Sequence, residues 1–175
     1  MPKLTDAEVG AFLAEPAHLV RIATVDADGM PRNVPLWFVL HEGQIVFTPR
    51  VHSVLLANVR RDPRIGLTID EEALPYRKLT VQGHAEILHE PGEDDVWRDL
   101  YLQIAMRYVP VGGARAYVNG TDDQPRALIG VRLADARVST WRMPVGEEDG
   151  TGIWHRRYYL DGTKMAGQAG GARPA

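Results

Sequence analysis

The sequence predicts a mostly β fold, an antiparallel barrel with a few helices packed outside it. Three observations lead to this class. Short runs rich in β-branched and aromatic residues outnumber the helical patterns, and tight-turn sequences such as DADG (26–29) and HEG (41–43) connect several of them. The strands also fail to alternate regularly with helices, as they would in a parallel sheet.

The first predicted element is a short amphipathic helix that follows Thr5. Thr5 and Glu8 have the spacing of a capping box, in which each side chain accepts a hydrogen bond from a backbone N–H at the helix start. Pro16 ends the pattern, because proline cannot continue a helix. The apolar face of this helix comprises Val9, Phe12 and Leu13.

Residues 18–48 predict a three-stranded antiparallel meander. Its strands are HLVRIATV (18–25), RNVPLWFVL (32–40) and QIVFT (44–48). Pro35 lies inside the second strand and has no N–H for the ladder, so it indicates an edge, a bulge or a strand start. Trp37 and Phe38 are expected on opposite faces of that strand.

The rest of the chain predicts three more helices and several further strands. Gly83 interrupts one strand and indicates a bulge or a close approach by another group. Residues 1–163 are expected to form a single domain, followed by a poorly ordered Gly/Ala-rich tail at 164–175. The predicted helices cover 52–63, 91–109 and 113–120, and the predicted strands cover 64–69, 78–88, 127–141 and 152–160.

Composition excludes several function classes. The chain has 175 residues and no cysteine, so disulfides, thiolate metal sites and thiol nucleophiles are absent. The net charge of -3 argues against nucleic acid as a partner, because DNA-binding domains are usually basic. No run of eighteen apolar residues indicates a membrane span, and the N-terminus lacks an apolar signal core. We expect a soluble, cytoplasmic protein.

Familiar catalytic motifs are missing as well. No P-loop is present, no G-x-G-x-x-G follows a strand, and no H-E-x-x-H occurs. The six histidines form no metal-spaced pair on a predicted helix. Ser53 and Ser139 do not lie in G-x-S-x-G. The sequence therefore indicates no catalytic residue and no metal ligand, and favours a scaffold for a cofactor that performs the chemistry.

One segment does indicate a ligand. Thr48, Arg50 and Ser53 follow an apolar strand and precede a helix. Free N–H groups at a helix N-terminus bind anions, and a guanidinium with hydroxyls strengthens such a site. The neighbouring strand VPLWF (34–38) offers flat apolar surface to an aromatic ring, so a phosphorylated ring cofactor suits this region. The alternative is that Ser53 only caps the helix and Arg50 is solvated.

Four motifs in order resemble the pyridoxamine 5'-phosphate oxidase-like family. They are TVDADGMP (24–31), PLW (35–37), NVRRDPR (58–64) and VQGHAE (81–86). The resemblance implies a mostly β, Greek-key-like split β-barrel with flanking helices, of the FMN-binding type. It also implies a homodimer that holds FMN or the deazaflavin coenzyme F-420 in a groove between subunits. Residues 75–83 (PYRKLTVQG) are more similar to the deazaflavin reductases than to true pyridoxamine phosphate oxidases.

The resemblance also implies which residues hold the cofactor. They are Thr48, Pro49, Arg50 and Ser53 at the phosphate, Asn33, Val34, Pro35 and Leu36 along the ring, Lys78 and Gln82 on a facing strand, and Trp154 and Arg156 reaching the partner's site. Many relatives carry a phosphate-binding Lys where this chain has Leu55, so Arg50, His52 or Lys78 must compensate.

The implied activity is hydride transfer between the ring and a small organic substrate. Two alternatives stay open. One is a non-catalytic protein that stores or carries the cofactor, and the weaker one is oxidation of pyridoxamine 5'-phosphate itself.

Overall fold

A computed structural model describes residues 2–148 and 159–168. Most of this part belongs to nine strands and five α-helices. The strands are β1 (Val20–Val25), β2 (Pro31–Leu36), β3 (Phe38–His41), β4 (Gln44–Phe47), β5 (Arg64–Asp70), β6 (Lys78–His84), β7 (Glu86–His89), β8 (Leu128–Arg132) and β9 (Arg137–Trp141). The helices are α1 (Asp6–Ala14), α2 (Val54–Arg61), α3 (Arg98–Met106), α4 (Val111–Asn119) and α5 (Lys164–Gln168).

The strands form two antiparallel sheets. The first sheet has the order β2-β1-β5-β6-β9, and the second has the order β3-β4-β8-β7. The pairings found in the described residues do not join the two sheets into one closed cylinder. This is the split β-barrel that the sequence predicts, with helices at its flanks.

Three predicted strands are each divided between the sheets. The run 32–40 is one strand by its apolar pattern, but Leu36 pairs with Val20 in the first sheet and Phe38 pairs with Phe47 in the second. The predicted three-stranded meander is therefore wrong, and 18–48 form two hairpins. The run 78–88 likewise divides into β6 and β7, and the run 127–141 divides into β8 and β9. Periodicity cannot detect such a crossing, because the residues on both sides of it are equally apolar.

Apolar side chains of both sheets meet in one core, which α1 and α2 complete. Phe12, Phe38 and Phe47 are fully buried there. The outer face of the second sheet carries a smaller apolar layer, in which Val46 and Leu128 pack with side chains of α3 and α4. On the first sheet the residues of the outer face are more exposed than those facing the core, as the alternating burial of β1 and β5 shows.

Gly83 lies where another backbone approaches closely, one of the two readings that the sequence offered. A Cβ atom on Gly83 would lie 3.0 Å from Cβ of Ala136, which precedes β9. The capping box predicted at Thr5 and Glu8 is also confirmed, since each side chain accepts from the other's backbone N–H.

The C-terminal part of the chain is described only in part. Lys164–Gln168 are helical, although the sequence predicted a poorly ordered tail from residue 164. Most of the predicted closing strand 152–160 lies outside the described residues, so the domain limits stay a prediction. Among the described helices, none has the length and apolar character needed to cross a membrane.

Tyr108 holds the point where the chain passes from the first sheet to the second. Its hydroxyl donates to the carbonyl of His18 at 2.7 Å and accepts from the backbone N–H of Phe38 at 3.0 Å. The ring stacks on Trp37 with centroids 5.1 Å apart. One phenol thus connects the first residue of β3 to the segment just before β1.

Tyr108→Phe is expected to destabilise the protein by about 1 kcal/mol, because a partly buried N–H and C=O lose their partner. Urea unfolding followed by circular dichroism measures this loss. Tyr76→Phe is the control, since Tyr76 is exposed, and it should leave the midpoint unchanged. Equal midpoints for the two variants would show that the hydroxyl of Tyr108 does not stabilise the crossing.

Candidate functional site

The segment that the sequence singled out, 48–53, connects the end of β4 to the start of α2. Its backbone is held against residues 125–127: the carbonyl of Pro49 accepts from Ala127 N at 3.0 Å, and Val51 N donates to the carbonyl of Pro125 at 2.9 Å. Thr48 and Pro49 are buried, whereas Arg50 is exposed. The predicted site residues at this position therefore lie together on a fixed backbone.

Ser53 is the N-cap of α2. Its hydroxyl accepts from the backbone N–H of Leu56 at 3.2 Å, as the alternative interpretation of the sequence expected. The hydroxyl oxygen of Ser53 therefore caps α2. A role for Ser53 in ligand binding stays a prediction.

Ser53→Ala is expected to destabilise the protein by about 1 kcal/mol, the usual effect of losing a hydroxyl N-cap. Ser53→Asp is the matched control, because a carboxylate also caps and its charge suits the helix N-terminus. Thermal unfolding of the three proteins gives the comparison. If alanine and aspartate behave alike, the cap does not contribute to stability.

Position 55 cannot present a cation to solvent. Leu55 is 4% exposed and belongs to the core between the sheets. Of the residues expected to compensate for the missing lysine, Lys78 lies elsewhere, with Nζ 4.3 Å from the ring centroid of Trp141. Arg50 and His52 are exposed next to the segment itself.

A further arginine lies beside the segment, and sequence reasoning missed it. Arg126 precedes β8 and forms an isolated antiparallel bridge with Arg50. Its Nη1 donates to the carbonyl of Thr48 at 3.1 Å, and its Nη2 donates to the hydroxyl of Tyr117 at 2.9 Å. No local motif marks Arg126, because the bridge joins residues that are far apart in sequence.

Aromatic side chains line this end of the second sheet. Trp37 contacts Tyr117 edge to face, with centroids 5.4 Å apart, and Tyr101 contacts Tyr117 at 6.1 Å. Burial raises the pKa of Tyr117, but the hydroxyl of Tyr101 and the guanidinium groups of Arg126 and Arg50 lower it more strongly, so that it lies below its usual value.

Strand alternation divides the predicted ring-binding residues. Val34 and Leu36 pack against the core, whereas Asn33 and Pro35 are exposed. Only the latter two side chains are therefore available to a ligand, and β2 contributes backbone groups at the other two positions. The strand is at the edge of the first sheet, one of the three alternatives that Pro35 indicated.

Asn33 and Gln82 lie in one row across the outer face of the first sheet. In the strand pairings, Asn33 is opposite Ala23, Ala23 is opposite Gly66, and Gly66 is opposite Gln82. Two intervening strands separate β2 from β6 by roughly 14 Å. Gln82 therefore does not face β2 within one chain. The small residues between Asn33 and Gln82, which are Ala23 and Gly66, form a shallow depression that we call the bed.

An open groove of about 670 Å³ follows this row. Its lining includes the floor residues Ala23 and Gly66, together with Gln82 and Arg137 at one side. Asn33 and Lys78 lie on the same face but are not among the groove residues. The remaining two predicted ligand contacts, Trp154 and Arg156, lie outside the described residues.

Several solved structures share this fold. The heme storage protein HutZ from Vibrio cholerae is 20% identical, with a TM-score of 0.58 over 77% of this chain and 94% of that one. A FAD-binding protein from Mesorhizobium loti is 17% identical, with a TM-score of 0.55 over 79% and 93%. A protein named F420 reductase is 23% identical, with a TM-score of 0.54 over 75% and 94%.

No curated protein matches the sequence. The sequence profile of the family described as "Pyridoxamine 5'-phosphate oxidase" does match, over residues 5–140. That range begins at the cap of α1 and ends in β9, so it contains both sheets and the segment 48–53. With the two open sheets and the order of its motifs, the chain belongs to the pyridoxamine 5'-phosphate oxidase family.

Proposed function

We propose that this protein is an oxidoreductase that binds a flavin-type cofactor, the deazaflavin coenzyme F-420 or FMN, in a groove between two copies of the chain. The observation that carries the proposal is the pairing of a fixed, cation-bearing segment at 48–53 with a bed of small residues on the first sheet. Such a cofactor has a negatively charged tail and a flat ring, and the two features match these two parts.

The bed fits a flat ring because its floor is low. A Cβ atom added to Gly66 would contact only Cβ of Ala23, at 3.5 Å, so nothing taller than a methyl group rises between Asn33 and Gln82. From Asn33 the chain reaches Trp37, next to the segment 48–53, after four residues, or roughly 13 Å of extended strand. That separation suits a ring and a tail joined by a short linker.

When bound, the ring supplies the hydride chemistry, and the chain positions it. Asn33 and Gln82 offer amide groups at opposite sides of the bed, and Arg50 offers a cation for the tail. The outer face of the first sheet is open to one side, so a second copy of the chain would exclude water from the ring. The small organic substrate would enter the same groove. No side chain is assigned as a catalytic acid or base.

The related structures support a flavin-type ligand and also the main alternative. One of them is a FAD-binding protein and another is an F420 reductase. A third is a storage protein for heme, so a non-catalytic carrier or storage protein is the second candidate. Oxidation of pyridoxamine 5'-phosphate is the weakest, because buried Leu55 replaces the expected phosphate-site lysine.

The test is a titration of the purified protein with FMN and coenzyme F-420 side by side, followed by quenching of cofactor fluorescence. Gly66→Leu should weaken binding more than tenfold by filling the bed. Thr68→Leu is the matched control, since Thr68 follows on the same face of β5 but is not among the groove residues. Its affinity should stay within twofold of the wild type.

Turnover separates the enzyme from the carrier. The protein loaded with reduced cofactor should transfer hydride to a quinone, nitro or enone acceptor, whereas a carrier would bind the cofactor without turnover. Absence of affinity for both cofactors, or affinity for heme alone, would contradict the proposed function. Sedimentation analysis with and without cofactor tests the dimer.

A further inference from the structure

Arg126 is a buried cation without an acidic partner. The residue is 7% exposed, and no ion pair in the described part of the chain includes it. Asp94 accepts from its backbone N–H at 2.9 Å, so that carboxylate serves the main chain. The Nε of Arg126 has no hydrogen-bond partner in the structure. Its Cζ lies 4.9 Å from the ring centroid of Tyr101 and 5.8 Å from that of Tyr117, so aromatic faces, and not a carboxylate, compensate the buried charge.

Eight of the other arginines that the structure describes have carboxylate partners, whereas Arg61, Arg107, Arg115 and Arg137 form no ion pair. Those that form ion pairs are Arg21, Arg32, Arg60, Arg64, Arg77, Arg98, Arg132 and Arg142. Arg50 does not, among the residues that the structure describes, yet the backbone bridge brings it next to Arg126. Two guanidinium groups at one place repel each other unless an anion lies between or beside them.

Tyr117 connects the two arginines. Its oxygen accepts from Nη2 of Arg126 at 2.9 Å, and Arg50 is close enough to lower its pKa. Because the phenol oxygen accepts from a guanidinium, its own proton remains available to a third group. The cluster therefore presents hydrogen-bond donors of three side chains, two of them cationic, at the edge of the segment 48–53.

We infer that Arg50, Arg126 and Tyr117 form an oxyanion-binding site, which takes an organic phosphate or carboxylate and replaces the cation lost at Leu55. The inference deepens the proposed function: the oxyanion is either the tail of the cofactor or a charged group of the substrate. The site can be tested without knowing which of the two molecules binds there, because inorganic phosphate has the same kind of anionic oxygens. A guanidinium binds such an anion through paired N–H donors.

The first experiment measures binding of inorganic phosphate by calorimetry at low ionic strength. Arg50→Gln and Tyr117→Phe should each weaken binding about tenfold, because each removes a hydrogen bond to a charged group. Arg115→Gln is the matched control, since it removes a charge from an exposed position of the same helix as Tyr117. It should change the affinity less than twofold.

A stability measurement adds a readout that a purely structural arginine would not give. Arg126→Met is expected to abolish phosphate binding and to lower the unfolding midpoint, because the carbonyl of Thr48 and the hydroxyl of Tyr117 lose their donor. Phosphate in turn should raise the midpoint of the wild type only. If Arg126→Met does not fold, Arg50→Gln and Tyr117→Phe decide the question.

Competition identifies the source of the oxyanion. Displacement of phosphate by FMN or coenzyme F-420 assigns the site to the cofactor tail, whereas simultaneous binding assigns it to the substrate, and both results support the site. Phosphate binding without cofactor binding would overturn the proposed function and leave this inference standing. Cofactor binding that is equal in wild type, Arg50→Gln and Tyr117→Phe, with no phosphate binding, would overturn the inference alone.

Discussion

Asn58→Asp is expected to destabilise the protein by about 3 kcal/mol at neutral pH, because it replaces a buried donor amide with a second carboxylate beside Asp26. Asn58 is 2% exposed. Its amide nitrogen donates to the hydroxyl of Thr24 at 3.1 Å and to the carboxylate of Asp26 at 2.7 Å. An aspartate at 58 cannot donate these bonds when ionised, and it would lie directly against Asp26.

The pH dependence of this variant has a definite sign. Hydrogen bonds from Arg32 and then from Asn58 hold the pKa of Asp26 at about 2. In the variant two carboxylates share the site, so the pair keeps a proton and one apparent pKa rises above the unfolded value of about 3.9. The proton that the carboxylate pair keeps stabilises the folded variant below the unfolded pKa. This stabilisation disappears as the pH rises through the higher folded pKa.

The deficit relative to the wild type should therefore shrink as pH falls from 7 towards 4. Urea unfolding at several pH values measures it. Asn119→Asp is the control, since Asn119 is exposed at the end of α4, and its effect should stay near zero. A deficit that is independent of pH would show that repulsion between the two carboxylates is not its cause.

Arg77→Gln is the second large change, with an expected loss of about 2 kcal/mol. Arg77 donates to both oxygens of Glu15 and to both oxygens of Glu71, and its guanidinium lies 4.8 Å from the ring centroid of Phe12. It thereby connects the end of α1 to the loop between β5 and β6. Breaking a fully buried ion pair costs more than about 2 kcal/mol. The expected loss is smaller here because water screens the side chain of Glu15, which is 40% exposed.

Acid should reduce this loss. The hydrogen bond from Arg77 lowers the pKa of Glu71 and that of Glu15 below the ordinary 4.5. A depressed folded pKa stabilises the protein above the unfolded value and ceases to do so as pH falls through the folded pKa. The wild type should therefore lose stability below about pH 4.5, and the variant should lose less.

Arg64→Gln makes the same substitution at an exposed pair. The side chain of Arg64 is 78% exposed, and its partner Asp62 is two residues away. No measurable change in the urea midpoint is expected there. If Arg77→Gln also leaves the urea midpoint unchanged, the ion-pair network does not stabilise the junction of α1 with the β5–β6 loop.

Arg77 also explains why Glu15, His18 and Glu71 do not amount to a metal site. Their potential ligand atoms lie within 4.8 Å of one another. The guanidinium of Arg77 already donates to both carboxylates, so the negative charge that a metal ion needs is neutralised by the protein. These residues form a structural ion-pair network.

Several elements were predictable because their signals are local. The capping box fixed the start of α1, and Ser53 fixed the start of α2. The turn at 41–43 followed from Glu42 and Gly43, which both adopt positive φ in the structure. The motif NVRRDPR pointed to the family, and the structure gives it a structural role: Asn58 anchors α2 to the end of β1, and Asp62 pairs with Arg64.

Other features depended on contacts between distant parts of the chain. The division at Trp37 was not predictable, because Val34 to Leu40 are apolar on both sides of the crossing and only the pairing partners differ. Arg126 had no motif, since a bridge between distant strands brings it to Arg50. Gln82 and Asn33 were placed on facing strands, but two strands of the same sheet lie between them.

The amino-acid sequence by itself determined the family, the mostly β class and the segment 48–53 as the candidate anion site. Those depend on residue types at short spacing, where cap and turn geometry and the order of motifs act within a few residues. Only the tertiary structure decided which strands share a sheet, which side chains of β2 reach solvent, and which cation accompanies Arg50. Pairing across the barrel sets these, because strand register joins residues whose separation in sequence carries no local signal.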